Sequence, residues 1–268
     1  MRIRFRWLFA LGMTVAALYA HAAADQPVGQ RAAESRHITL AAAADLHYAM
    51  DHVIAAYRHD HPTDSIDAVY GSSGQLLTQI EQGAPFELFF SADSDYPKQL
   101  VAHGDAGGQP VPYAVGRIVL WSASIDMHGV QVADLLQSRF GRIAIANPQH
   151  APYGKRAEQA LRSAGIWDQL QSRLVYGENI AQTAQFAQSG NAQVGIIAQS
   201  LALDPAMAKG SYAPVPPTVY EPLQQSFVLT KRGADNALAR DFAGYMQSAA
   251  ARVILARYGF TLPGAADH

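Results

Sequence analysis

The sequence predicts an α/β protein built on parallel sheets, and three observations carry that expectation. Short apolar runs alternate with stretches of helical periodicity along most of the chain. The joints where a strand pattern gives way to a helix pattern recur in one form, at Asp45, Ser73, Tyr153 and Ile180. Hydrophobic residues make up 49% and charged residues 16% of the 268 residues, enough apolar mass for two modest lobes or one large domain. In parallel α/β sheets ligands sit beyond the carboxyl ends of the strands, so the same four joints are candidate binding positions.

Ile38–Ala44 reads as a buried strand running into a small-residue turn. Asp45 then caps a helix whose apolar positions include Leu46, Met50, Val53, Ile54 and Tyr57. Ser65–Tyr70 is the next strand. Beyond the polar turn Gly71-Ser72-Ser73-Gly74, Leu76, Leu77 and Ile80 recur at helical spacing until Gly83 closes the run. Glu87–Asp93 is a third strand ending in a polar turn. A second cycle starts near Arg117, with strands at 118–121 and 142–146 and a short helix over 132–140 between them. The turn Asn147–Gly154 opens a helix reaching about Gly165. Residues 174–176 form a strand, Glu178-Asn179-Ile180 opens a helix to Ser189, and 194–198 is again a strand. After a Pro-rich loop over 214–222, the chain ends in a strand at 225–230 and helices around 236–247 and 249–258.

Ser72-Ser73 is the most informative joint. A Ser flanked by Gly at a helix start presents unpaired N–H groups, a hydroxyl and the positive end of the helix macrodipole, a combination suited to an anion. At any single joint the ordinary alternative is a capped helix start with no ligand. Four such joints on one chain favour the anion.

Arg2, Arg4 and Arg6 precede an apolar run from Trp7 to Ala20, followed by small-residue cleavage sites. Residues 1–24 are therefore expected to be a secretory signal peptide and residues 25–36 a flexible leader. The apolar run is short for a membrane span. The absence of cysteine excludes disulfides, thiolate metal sites, a Cys nucleophile and a lipid-modified Cys. A net charge of −2 gives no electrostatic reason to expect nucleic acid or an anionic membrane. His47, His52, His59 and His61 cluster in sequence, but His47 and His52 fall on different helix faces, so solvated histidines are expected rather than zinc ligands. Gly71-Ser72-Ser73-Gly74 misses the nucleophile-elbow spacing because Gln75 stands where the second glycine belongs, and no enzyme is expected.

Taken together, Ala41–Leu46, Gly71–Gly74 with Gln79-Ile80, Gly83-Ala84-Pro85, Phe90–Asp93, Asn147–Gly154 and Arg257–Phe260 resemble the motifs of the molybdate-binding proteins of ABC importers. The resemblance spans about residues 37–263. It implies a class II periplasmic binding protein of two lobes, each a mostly parallel sheet flanked by helices, with the ligand in the interlobe cleft. Lobe 1 is expected at 37–116 and 225–263 and an inserted lobe 2 at 117–224, with hinge crossings near 115–118 and 221–226. The resemblance also implies a periplasmic protein without a lipid anchor, expected to be a monomer. It would carry molybdate or tungstate to a membrane permease and need no cofactor.

Matched position by position, the family's hydroxyl ligand is Ser73, with Ser72 beside it. Its backbone donors are Tyr153 and Ile180, and its first-loop position is Asp45, preceded by Ala44. Molybdenum would be met only as molybdate, so these residues would touch oxygens and not the metal. Two departures stand out. Asp45 replaces the Ser or Asn of some members, and Ala198 stands where some have Tyr, a phenol that Tyr153 could supply from its neighbouring turn. A carboxylate facing a dianion would repel it, so Asp45 is expected to turn inward and cap its own helix. The alternative is that Asp45 accepts the proton of hydrogen phosphate, which would make the ligand another tetrahedral oxyanion, phosphate or sulfate.

Overall fold

The computed structural model of the protein describes residues 36–263. The expected signal peptide, and the expected leader apart from Arg36, lie outside the described residues. In chain order the elements are β1 (His37–Ala43), α1 (His47–Asp60), β2 (Ser65–Gly71), α2 (Ser73–Glu81), β3 (Leu88–Ser91), α3 (Asp95–His103), β4 (Val111–Gly116), β5 (Ile118–Ser122), β6 (Ile143–Ala146), α4 (Pro152–Ser163), α5 (Trp167–Leu170), β7 (Leu174–Gly177), α6 (Ile180–Gln188), β8 (Val194–Ala198), α7 (Gln199–Ala202), β9 (Ser211–Pro214), β10 (Leu223–Leu229), α8 (Ala237–Tyr245) and α9 (Ala249–Arg257).

The strands form two five-stranded sheets, in the orders β2-β1-β3-β10-β4 and β7-β6-β8-β5-β9. In the first, β1 is parallel to β2 and β3, while β10 is antiparallel to both β3 and β4. Only β10 is therefore reversed. In the second, β6 is parallel to β7 and β8, while β5 is antiparallel to β8 and β9, so only β5 is reversed. The reversed strand is in each case the one by which the chain arrives from the other sheet. β4 passes through Arg117 into β5, and β9 returns through residues 215–222 into β10.

β1 shows why such strands read as unbroken apolar runs, since a parallel strand is covered on both faces. Ile38, Leu40 and Ala42 belong to the core shared with Met50, Val53 and Phe242. Ala41 belongs instead to the core on the other face, with Leu76 and Leu77 of α2. At the end of α2, the Gly83 N–H donates to the Ile80 carbonyl and the Ala84 N–H to that of Gln79, which closes the helix as the sequence suggests.

Four features differ from the sequence reading. β4 and β9 were not expected, and both are edge strands carrying Pro, which breaks the strand signal while being tolerated at an edge. α3 was not expected either; Pro97 obscures it, yet lies in the first turn, where no intrahelical N–H is needed. The helix expected over 132–140 is two 3-10 turns, Val132–Leu136 and Ser138–Phe140, with Val132 and Leu135 buried at a spacing of three. Arg36 is not leader but anchor: its guanidinium donates to both oxygens of Asp64, at 2.9 and 2.6 Å, and to Asp241 at 2.7 Å.

Candidate anion-binding site

The carboxyl ends of corresponding strands from the two sheets meet at one cavity. Its lining comes from the turn after β1 (Ala43, Ala44, Asp45), the turn after β2 (Gly71, Ser72, Ser73), the start of α4 (Ala151, Pro152, Tyr153), Ile180 at the start of α6, and Ala92. The structure thus brings Ala44, Asp45, Ser72, Ser73, Tyr153 and Ile180 together. The cavity volume is about 10 Å³, far below the roughly 300–1,000 Å³ of sites for drug-sized molecules, so any ligand held here must be small. Ser73 is 0% and Asp45 1% exposed, so these two residues are out of contact with bulk water. Among the described residues, no Lys, Arg or His lines the space.

On the first sheet's side, Ser73 occupies the first position of α2, where its N–H has no intrahelical acceptor. Its Oγ accepts from the buried Ala92 N–H at 3.0 Å, which fixes the hydroxyl and leaves its proton to donate. Neither serine caps α2. Ser72 instead shares a 2.9 Å hydrogen bond with Nδ1 of His150, across the cleft.

On the second sheet's side, α4 begins with Pro152, which has no N–H to satisfy, so Tyr153 provides the first free donor. α6 begins at Ile180, and the Asn179 side chain caps it by accepting from the Gln182 N–H at 3.0 Å. That cap satisfies one donor and leaves the Ile180 N–H toward the cavity end. Three helix N-termini of nine or more residues, α2, α4 and α6, therefore converge on the space. Their dipoles and free N–H groups favour negative charge without any formal cation.

Asp45 departs from expectation. It turns inward, but it does not cap its helix: the turn Ala44–Leu46 has no side-chain cap. Its Oδ2 instead accepts from Gln225 Nε2 at 2.7 Å and from the Tyr153 hydroxyl at 2.9 Å. Gln225 also donates to the Tyr153 oxygen at 3.2 Å and accepts from the Tyr113 hydroxyl at 2.6 Å, closing a buried network. The other carboxylate oxygen, Oδ1, is buried with no hydrogen-bond partner. Burial pushes the Asp45 carboxyl up to about 6, against the pull of its bonds to Gln225 and Tyr153. Burial also holds the Tyr153 and Tyr113 phenols well above their ordinary range. The Tyr153 phenol is thus committed to Asp45, and its backbone N–H is the free donor at the start of α4.

Sequence reasoning missed the residues that support this site from a distance. Gln225 is fully buried in β10, but a glutamine inside an apolar run gives no sign of its partner 180 positions away. Gly116 is explained by the same network, because a Cβ there would strike the Tyr153 hydroxyl and the Gln225 amide. His150 is the partner for Ser72 that sequence could not identify, and the Gly74 N–H donates to its carbonyl at 3.0 Å. A Cβ on Gly74 would lie 2.7 Å from that carbonyl, so the close approach of the two turns needs glycine. Ser72, His150 and Glu178 superficially resemble a hydrolytic triad. However, Glu178 Oε2 stands 3.8 Å from His150 Nε2 and is taken by Gln75 at 2.9 Å, and the cavity has no room for a chain substrate. The contacts tie the two sides of the cleft together, as does the Ser200 hydroxyl donating to the Asp45 carbonyl at 2.7 Å.

Comparison with known proteins places this architecture. Residues 38–261 match the family model described as bacterial extracellular solute-binding protein. The molybdate-binding protein ModA of Rhodobacter capsulatus is 39% identical over 200 residues, 73% of this chain and 77% of that protein. ModA of Azotobacter vinelandii is 36% identical over 233 residues, 86% of this chain and 92% of that one. The solved structure of the Azotobacter vinelandii periplasmic molybdate-binding protein superposes with a TM-score of 0.78 at 33% identity, covering 84% of this chain and 99% of that one. With two mixed α/β sheets meeting at a small, buried cavity, the chain belongs to the bacterial extracellular solute-binding proteins, in the group that contains the molybdate-binding proteins.

Proposed function

We propose that the chain is the substrate-binding component of an ABC importer, and that it holds molybdate, or tungstate, in the cavity between the two sheets. One observation carries this: helix N-termini from both sheets converge on a small, buried space that, among the described residues, no cationic side chain lines. A tetrahedral dianion needs donors from several directions to offset its desolvation, and helix starts supply them already oriented. The contacts are assigned to the N–H groups of Ala44, Asp45, Ser73, Tyr153 and Ile180 and the Ser73 hydroxyl, with Ser72 holding the turn. Bonds to a charged acceptor contribute roughly 1.5–3 kcal/mol each, so five or so give about 8–15 kcal/mol, a gain of the size needed to offset the roughly 4–15 kcal/mol cost of association. A neutral cage also lets the anion go without breaking a salt bridge.

Because the lining is buried, entry and release require the two sheets to part, and the crossings at Arg117 and 215–222 are the segments proposed to bend. The protein acts as a carrier rather than an enzyme, exported to the periplasm and delivering its cargo to a membrane permease. The names of its relatives and the extracellular character of the family support that placement. Phosphate is the second reading, favoured by the unpartnered Oδ1 of Asp45, which could accept a phosphate proton. Titration calorimetry with molybdate, tungstate, sulfate and phosphate decides between them. Submicromolar molybdate with weak phosphate is expected, and the reverse order would overturn the proposal.

A further inference from the structure

Among the described residues, Asp45 is the one charged residue lining the cavity, and it sits where a dianion must be received. One of its oxygens accepts two hydrogen bonds and the other accepts none, although the residue is 1% exposed. An ionised carboxylate in that position would leave an oxygen lone pair buried and place a negative charge against the incoming anion. A neutral carboxyl removes both problems, because the proton on the unpartnered oxygen gives it a donor to share.

We propose that anion binding is coupled to protonation of Asp45: as the cleft closes, Oδ1 takes up one proton from solvent and donates it in a hydrogen bond to an oxygen of the bound dianion. The proton returns to solvent when the cleft opens. No bond of the anion is made or broken. The inference rests on the oxyanion reading of the cavity and adds to it a pH-dependent affinity that no partner cation provides. The pull of burial on this carboxyl, already upward before any anion is present, acts in the same direction.

The surroundings of Asp45 single it out. From α4 it faces the Tyr153 phenol and, through Gln225 of β10, the Tyr113 phenol of β4. Burial keeps both phenols protonated. From α7 it meets only the neutral Ser200 hydroxyl. On α1, His47 and Asp51 pair with each other on the surface, and at the end of β3 Asp93 pairs with Arg156. α6 brings no charged side chain to it. His150 is the remaining titratable group nearby, separated from Asp45 by Ser72.

Titration calorimetry with molybdate at about pH 8, run in Tris and in HEPES, reads the protons exchanged from the difference in apparent enthalpy. The expected result is uptake of about one proton per anion, and an affinity that weakens about tenfold per pH unit above neutrality. Asp45→Asn should abolish both the uptake and the slope, whereas His150→Gln should keep both. Tight molybdate binding by the unaltered protein with equal enthalpy in the two buffers would overturn the coupling and leave the cargo proposal standing. Uptake that survives Asp45→Asn, or that disappears only in His150→Gln, would also overturn it. Failure to bind molybdate or tungstate beside tight phosphate binding would remove the cargo proposal, and this inference with it.

Discussion

The two sheets share one strand order and one reversed strand, yet they finish their sides of the cavity differently. On the second side the helix starts are complete in themselves. Pro152 opens α4, and Asn179 caps α6 from within its own turn. On the first side Ser72 holds the position that Asn179 holds on the second, but it caps nothing. Its hydroxyl reaches His150 on the opposite side, and the Gly74 N–H reaches the carbonyl of the same residue. The start of α2 is therefore completed only when the sides are together. The contrast predicts that one half of the site is preformed and that the other half is finished by closure.

Asp45 should produce the largest break in this comparison, because the first half carries the buried carboxyl at the cavity. Its carboxyl sits at about 6 in the closed form, against an ordinary value of 3.8. The closed form thus holds the proton more tightly than an open, solvated cleft. Closure is favoured below the ordinary value and loses ground as pH rises, with the full penalty present above about 6. The difference corresponds to on the order of 3 kcal/mol. Asp45→Asn should remove it, so that anion-free protein at pH about 8 becomes more compact by small-angle scattering, with little change near pH 4. Equal scattering profiles for both proteins at both pH values would remove the asymmetry.

Ser73→Ala comes next. Loss of a hydroxyl that donates to the anion should weaken molybdate by roughly 1.5–3 kcal/mol, about ten- to a hundredfold in titration calorimetry. The structure adds a second consequence, since the Ala92 N–H loses its acceptor and is left buried. Ser73→Ala should therefore lower unfolding stability as well as affinity. The matched test on the preformed side is Asn179→Ala, which should lower unfolding stability by about 1 kcal/mol through loss of the cap while weakening the anion less than Ser73→Ala. Denaturant unfolding beside calorimetry separates the two. Were Asn179→Ala to weaken binding as much as Ser73→Ala, the second side would be no better preformed than the first.

How much of this was legible in the sequence follows the range of the forces involved. Strand-to-helix joints are local, so Asp45, Ser73, Tyr153 and Ile180 could be picked out by pattern, and the structure brings them to one cavity. Edge strands β4 and β9 were lost because proline masks a strand that needs hydrogen bonds on one side only. The Asp45 cap was a sound local inference that tertiary contacts overrode: Gln225 and Tyr153, far away in sequence, claimed the carboxylate. His150 carried no local signal, as its role depends on which turn faces it across the cleft.

The smallest expected effect is the most direct test of closure. The bond between Ser72 and His150 is a single hydrogen bond at 2.9 Å, with the imidazole side chain 22% exposed, so its net contribution is about 0.5–1.5 kcal/mol. Ser72→Ala and His150→Gln should each weaken molybdate by no more than about tenfold, through faster dissociation and not slower association, because the bond forms after the anion enters. The two substitutions should also be strongly non-additive, since either one alone removes the same bond. Stopped-flow dissociation of the two single variants and the double variant measures this coupling. Additive effects would mean that α2 is finished without His150. The two sides of the cavity would then differ in sequence only, and not in how they wait for the anion.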